Sequence, residues 1–301
     1  MHSAEPISRE GLSAAVAAYL LWGLMPAYFF VMKSVPALEM LAHRIFWAVP
    51  VGLLIVLVRR QWGEFRALLT QPKNLGWLTL SATCIAVNWL VYIWAVQREQ
   101  VFQASLGYYI NPLLYVVIGV LFLGERLRRP QLIAIILAAI GVAVLTVSGG
   151  QVPWLATGLA ISFTIYGVIR SQVAVGAMPG LLVETLVLLP AALLWLGWLA
   201  GQDELFFAHA GPGITVGLVA AGAITVLPLL AFAVAARRLP LSTIGVLQFM
   251  APTLQFLLGV AFGEPLTPAH VICFVLIWVG VALFAWDTWR AQRSQVPQKV
   301  T

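Results

Sequence analysis

Ten stretches of roughly twenty apolar residues, separated by short polar gaps, run through this 301-residue chain. A helix needs about 20 largely apolar residues to cross the hydrocarbon core of a bilayer. The segments that qualify are 11–32, 37–58, 75–96, 102–123, 131–148, 154–172, 180–200, 213–235, 241–262 and 268–287. Open sheets would leave backbone groups unpaired in lipid, and the runs are too long and too continuously apolar for alternating barrel strands. The expected fold is therefore an all-α integral membrane protein of ten transmembrane helices.

Charge agrees with this reading. Only 9% of the residues are charged, against about 25% in soluble domains, which is too few to coat a water-soluble globule of this size. The net charge of +6 does not indicate a nucleic-acid partner, because the basic residues sit in the gaps rather than on one face. Cys84 and Cys273 lie far apart inside apolar runs and read as small buried hydrophobes, with no disulfide or metal site expected. The first run is too long for a signal-peptide core and is read as a retained span.

Lys and Arg accumulate on the cytoplasmic side of membrane proteins. With the N-terminus inside, the inner gaps and tail hold 14 basic residues, among them Arg59, Arg60, Arg66, Arg126, Arg128, Arg129, Arg170, Arg237 and Arg238. The outer gaps hold 2, Lys33 and Arg98, and Arg44 lies within a span. Both termini are expected to be cytoplasmic.

The chain also repeats itself. Asn111-Pro112, Gly119, Gly124-Glu125-Arg126-Leu127 and Gly141 are answered by Ala251-Pro252, Gly259, Gly263-Glu264-Pro265-Leu266 and Gly280. Tyr19, Trp22 and Gly23 are answered by Phe163, Tyr166 and Gly167 at one offset of 144. Five helices per half put the second half in from the opposite face, so the expected halves, 11–148 and 154–287, are inverted repeats followed by a short cytoplasmic tail, 288–301. Loss of the cations between Gly-Glu-Arg-Leu-Arg-Arg and Gly-Glu-Pro-Leu-Thr-Pro fits a motif moved to the outer face. Inverted repeats around a midplane site are a recurrent architecture of secondary transporters.

These motifs resemble the drug/metabolite transporter superfamily, specifically EamA-domain proteins of the RarD type. The start Tyr19-Leu-Leu-Trp22-Gly23 and both Gly-Glu-x-Leu turns are similar to the EamA repeat. Ala42-His43-Arg44, Asn88-Trp89, the run from Ala104 to Pro112 and Gln248-Phe-Met-Ala-Pro252 are similar to the RarD branch. The resemblance covers roughly residues 11 to 289 and implies a carrier of the bacterial inner membrane with ten helices. Superfamily analogy points to export.

Polar residues at depth are the candidates for function, since an intramembrane charge costs at least about 2.5–3.5 kcal/mol. Arg44 is too deep to reach either surface and is expected to attract an anionic group, or else to sit in a fixed internal salt bridge. Glu39 and His43 share a helix face and, with Glu184 at an offset of 145 from Glu39, are candidates for proton coupling or gating. The bland alternative for both carboxylates is a helix-start position favoured by the dipole. Asn88, Tyr108, Asn111 and Gln248 are expected to bind substrate. Pro112 and Pro252 are expected to loosen the helices beside them, or, with the polar side chains, simply to serve helix packing. Trp22, Trp89 and Trp94 are weaker candidates for stacking, and Gln255 for the lining.

The function expected is a secondary transporter of a small organic solute such as a metabolite, amino-acid-like compound or drug, working by alternating access with protons as a coupling option. No Walker-type loop is present, so ATP is not bound by that route. No cofactor, metal or catalytic set is expected, as no His-Glu-x-x-His or Gly-x-Ser-x-Gly pattern occurs. An uncoupled facilitator or channel ranks second and an intramembrane enzyme third.

Overall fold

Backbone N–H and C=O groups in lipid must pair within their own segment, and helices accomplish this. A computed structural model describes residues 8–123, 129–149, 152–171, 173, 175–236, 238–239, 244 and 247–294. Every regular element among them is an α-helix. In chain order these are α1 (Arg9–Gly23), α2 (Met25–Val31), α3 (Ala37–Val58), α4 (Trp62–Leu69), α5 (Pro72–Gln97) and α6 (Val101–Leu123). There follow α7 (Arg129–Gly149), α8 (Trp154–Ser171), α9 (Ala177–Gly201), α10 (Pro212–Ala236), α11 (Met250–Ala261) and α12 (Pro268–Ser294). Among the described residues, seven helical segments are each long and apolar enough to cross a membrane, with shorter apolar helices at Trp154–Arg170 and Met250–Ala261.

Four boundaries differ from the sequence reading. The first span is divided at Leu24, where Pro26 opens α2 in the first helical turn, a position that needs no intrahelical N–H bond. The connection after α3 contains α4, whose Phe65 and Leu68 are buried while Glu64 and Arg66 face out. Hydropathy passes over it because only one side of so short a helix is apolar. In the ninth expected span the described helix begins only at Met250, and α12 runs past the expected end at 287 to Ser294. Glu125, the side chain of Pro112 and the surroundings of Gly119 lie outside the described residues, although α6 stays helical through positions 112 and 119.

The packing joins the two parts of the chain throughout. Helix α1 lies against α10 and α11, while α8 lies against α5 and α6; α3 packs on α9, and α6 on α11. The α7–α12 pair is held by reciprocal small residues. A Cβ on Gly141 would stand 3.0 Å from the Cys273 carbonyl oxygen, and one on Gly280 would stand 3.1 Å from that of Ala134. Close backbone approach of this kind drives helix association where lipid removes the hydrophobic contrast. The outer faces of this pair expose Ile133, Ile136, Ile140, Ile272, Val275 and Val279, an apolar surface suited to acyl chains.

The connections bind one another in two sets. One holds the Arg238–Glu10 ion pair at 3.0 Å and the Gly176 N–H donated to Glu64. The other holds Lys33–Glu99 at 3.5 Å, Gln97 donating to the Val35 carbonyl at 2.9 Å, and Glu264. Gly263, at φ +79, reverses the chain after α11. Glu264 then accepts the Phe102 N–H at 3.1 and 3.0 Å, capping α6 from across the molecule.

Burial pushes the Glu264 carboxyl up to about 7, opposed by the backbone N–H groups of Phe102 and Val101 and reinforced by Glu99. A carboxyl raised in the folded state contributes stability that is complete below its unfolded value and is lost as pH rises through the folded one. The thermal stability of the wild type relative to Glu264→Gln is therefore expected to fall between about pH 5 and pH 8. A difference that stays flat across that range would show that Glu264 does not titrate there.

Candidate functional site

Nine helices leave a cavity of about 460 Å³ between them, within the range of small-molecule sites. Helices α7 and α12 take no part in its wall. The α7–α12 pair meets through small residues, Gly141 and Gly280, and turns aliphatic side chains outward, while Phe274 and Trp278 of α12 pack on Phe102, Tyr109 and Phe256 away from the cavity.

Arg44 reaches the cavity from α3 and is 4% exposed. Its Nε donates to Thr225 Oγ1 at 2.7 Å, and its guanidinium lies 4.1 Å from the ring centroid of Trp89 and 5.8 Å from that of Phe29. Nη1 is buried with no hydrogen-bond partner, and no carboxylate pairs with Arg44 among the described residues. The cation is thus fixed in direction by Thr225 and Trp89 with part of its donor fork unspent. A buried, uncompensated charge is costly, and the fork geometry suits a carboxylate or phosphate.

Tyr108, Asn111 and Gln248 line the same cavity, together with Gln255 and Pro252. Asn111 Oδ1, Gln255 Oε1 and the Tyr92 hydroxyl are buried polar atoms without a partner beside it. Gln255 Nε2 donates to the Trp22 carbonyl at 3.2 Å. Pro252 falls in the first turn of α11, where its missing N–H breaks no bond.

Asn88 is not on the wall. It is fully buried, donates to the Leu159 carbonyl at 3.0 Å and to Ser162 at 2.9 Å, and accepts the Tyr108 hydroxyl at 3.1 Å. Its place is behind Tyr108, tying α5 to α8 and aiming the phenol. Among the tryptophans, Trp22 and Trp89 face the cavity while Trp94 is 40% exposed, beneath the Arg98 guanidinium.

The two ionisable clusters sit at opposite ends of α9. Glu39, fully buried, accepts the N–H groups of Phe206 and Phe207 at 2.9 and 3.3 Å in the α9–α10 connection. His43 Nε2 is 3.7 Å from Glu39 Oε1, and its ring stacks on Phe207 at 5.0 Å. Glu184 lies near the start of α9, about 25 Å along the helix from its C-terminal end. It accepts from Ser81 and pairs with Arg170 Nε at 3.6 Å.

Sequence reasoning missed Arg170, counted there only as a positive-inside residue, which lines the cavity through α8. Thr225 was missed because a lone threonine in an apolar run carries no signal. Tyr19, Phe163 and Tyr166 mark only the repeat in the sequence, and Trp22 is in addition a stacking candidate; all four line the cavity. No group of three or more His, Cys, Asp or Glu placed to hold a metal ion occurs among the described residues.

Residues 9–147 match the EamA-like transporter family. The chain is 44% identical over 289 residues to "Protein RarD" of Salmonella typhimurium, covering 96% of this chain and 98% of that one. It is 38% identical to "Uncharacterized transporter YojE" of Bacillus subtilis, covering 95% and 97%, and 33% identical to "Chloramphenicol-sensitive protein RarD" of Pseudomonas aeruginosa, covering 96% and 98%. A solved crystal structure at 22% identity shares the fold, with a TM-score of 0.61 over 94% of this chain and 100% of that one.

Proposed function

Because the chain belongs to the EamA-like transporter family, in its RarD branch, and is a multi-pass bacterial membrane protein, we propose that it carries a small organic solute bearing an acidic group across the inner membrane by alternating access. The observation that carries this reading is Arg44: a buried cation with an unpartnered Nη1, held against Trp89 in a cavity walled by aromatic side chains. An acid group supplies the missing charge, and the aromatic rings cover the organic body. Tyr108, Asn111 and Gln248 supply further hydrogen bonds, while Asn88 positions Tyr108.

Ten spans in two inverted halves, 11–148 and 154–287, are part of the proposal. Its support is the exchange symmetry of the packing: α1 on α10 answers α8 on α5, α1 on α11 answers α8 on α6, and α3–α9, α6–α11 and α7–α12 pair like with like. The two sets of connection contacts are those expected at opposite membrane faces. Both termini then lie in the cytoplasm, and export is the direction. Glu39 with His43 and the Phe206–Phe207 connection serve as the gate at one end of α9, and Glu184 at the other.

The test compares metabolites in the medium of overexpressing and deletion cells, then reconstitutes the purified chain with the solutes that differ. Saturable uptake of an organic acid stimulated by the same acid inside the vesicle is the expected result. Flux without exchange stimulation would replace the carrier with a facilitator, and transport confined to cations would remove the role given to Arg44.

A further inference from the structure

The second cation of the cavity, Arg170, is bound in a way that Arg44 is not. Its Nε stands 3.6 Å from Glu184 Oε1, a loose ion pair, while Nη1 is buried without a partner and Glu184 Oε2 is equally unpartnered. Two groups that are each half-bonded at the edge of a solute cavity are arranged to change partners.

Resting on the reading of the site as an organic-anion cavity, we propose that Arg170 is a second anion-binding residue, held by Glu184 when the cavity is empty and passed to the acidic group of the solute as Glu184 takes up a proton. The proton comes from the water on the side to which the cavity is open and ends on a Glu184 carboxylate oxygen, with Ser81 bonded to the carboxyl. Empty, the three groups sum to one positive charge, from two arginines and one carboxylate. A bound monoanion with neutral Glu184 leaves the same sum, so solute and proton load together without changing the buried charge. That matters because each uncompensated charge in a desolvated site is costly.

The surroundings leave few rival titrating groups. Ser81 reaches Glu184 from α5 and Arg170 from α8. Arg44 on α3, Tyr92 on α5, Tyr108 on α6 and Tyr166 on α8 line the same cavity. Glu39 and His43, also on α3, stand at the other end of α9; Glu64 on α4 is bonded to Gly176, and Lys73 stands at the start of α5. Helix α10 has no titratable side chain, and Glu184 is the one such residue on α9. Gly180 is part of the device, since a Cβ there would fall on Arg170 Nη1.

The test uses radiolabelled benzoate as the probe, with the full chain in lipid nanodiscs between pH 5.5 and 8. The wild type should bind benzoate about tenfold more tightly at the lower pH, the scale of one charge-assisted contact. Glu184→Gln, which keeps a partner for Ser81, should bind tightly at both values. Arg170→Gln should bind about tenfold more weakly at pH 5.5 and lose the pH dependence. Gly180→Ala, which changes no charge, should weaken binding in the same direction. Binding that requires Arg44 yet is indifferent to Arg170 and Glu184 overturns this proposal and leaves the anion reading standing. PH dependence that persists in Glu184→Gln also overturns it. Absence of benzoate binding in both wild type and Glu184→Gln removes the anion reading along with it.

Discussion

Arg44→Ala should remove saturable binding and counterflow of the solute while the protein remains folded. A charge-assisted contact in a desolvated site carries about 2–5 kcal/mol when one partner is deleted, so affinity should drop at least about a hundredfold. Folding should not suffer in proportion. Arg44 pairs with no carboxylate among the described residues, and its truncation removes a desolvated cation rather than breaking an ion pair. Arg44→Lys should not restore binding, because lysine has no Nε–H for Thr225 and no planar group to lie on Trp89. Counterflow in proteoliposomes, read beside thermal unfolding in detergent, separates loss of site from loss of fold. An Arg44→Ala protein that transports normally would exclude Arg44 from the solute path.

Gly222→Ala should be the most damaging single-methyl change. At Gly222, α10 crosses α3 so closely that a Cβ would overlap the carbonyl of Trp47. The obstacle is backbone within a helix, not the far end of a flexible side chain, so relief requires the helices to part. Overpacking costs about 1–3 kcal/mol where side chains can adjust, and here the upper end or beyond is expected. Thr225 lies three residues on, on the same helix face, so parting the helices also draws away the acceptor of Arg44. Binding should therefore weaken with stability. Gly197→Ala is the matched control: nothing lies within 4 Å of that site, and the change should be neutral or slightly stabilising through helix propensity. Equal melting temperatures for the two variants would show that α3 and α10 do not approach this closely.

Glu39 and Glu184 illustrate how far sequence carried the site. Their offset of 145 marked them as related, and both are buried and bonded across the chain. Their partners were out of reach: one holds two backbone N–H groups in the α9–α10 connection, the other a serine and an arginine. Asn88 was legible as polar at depth, yet depth alone does not distinguish a cavity wall from a buried strut. Its three hydrogen bonds make it a strut for Tyr108.

Arg170 is the more instructive omission. A basic residue at the end of an apolar run satisfies the positive-inside pattern, and that sufficient explanation conceals any second role. Only the turn of α8 beside Gly180, which leaves room for a guanidinium, brings it to the cavity.

The apolar runs and scarce charges of the sequence by themselves determined a helical membrane protein, because lipid permits few ways to satisfy a backbone and those ways have a characteristic length. The repeated motifs and the family likeness are likewise properties of residue order. Tertiary structure decided which polar residues share a cavity, because that depends on helix rotation and contact between segments far apart in the chain. Arg44 meets Thr225 across 181 residues, and no spacing rule reaches that far.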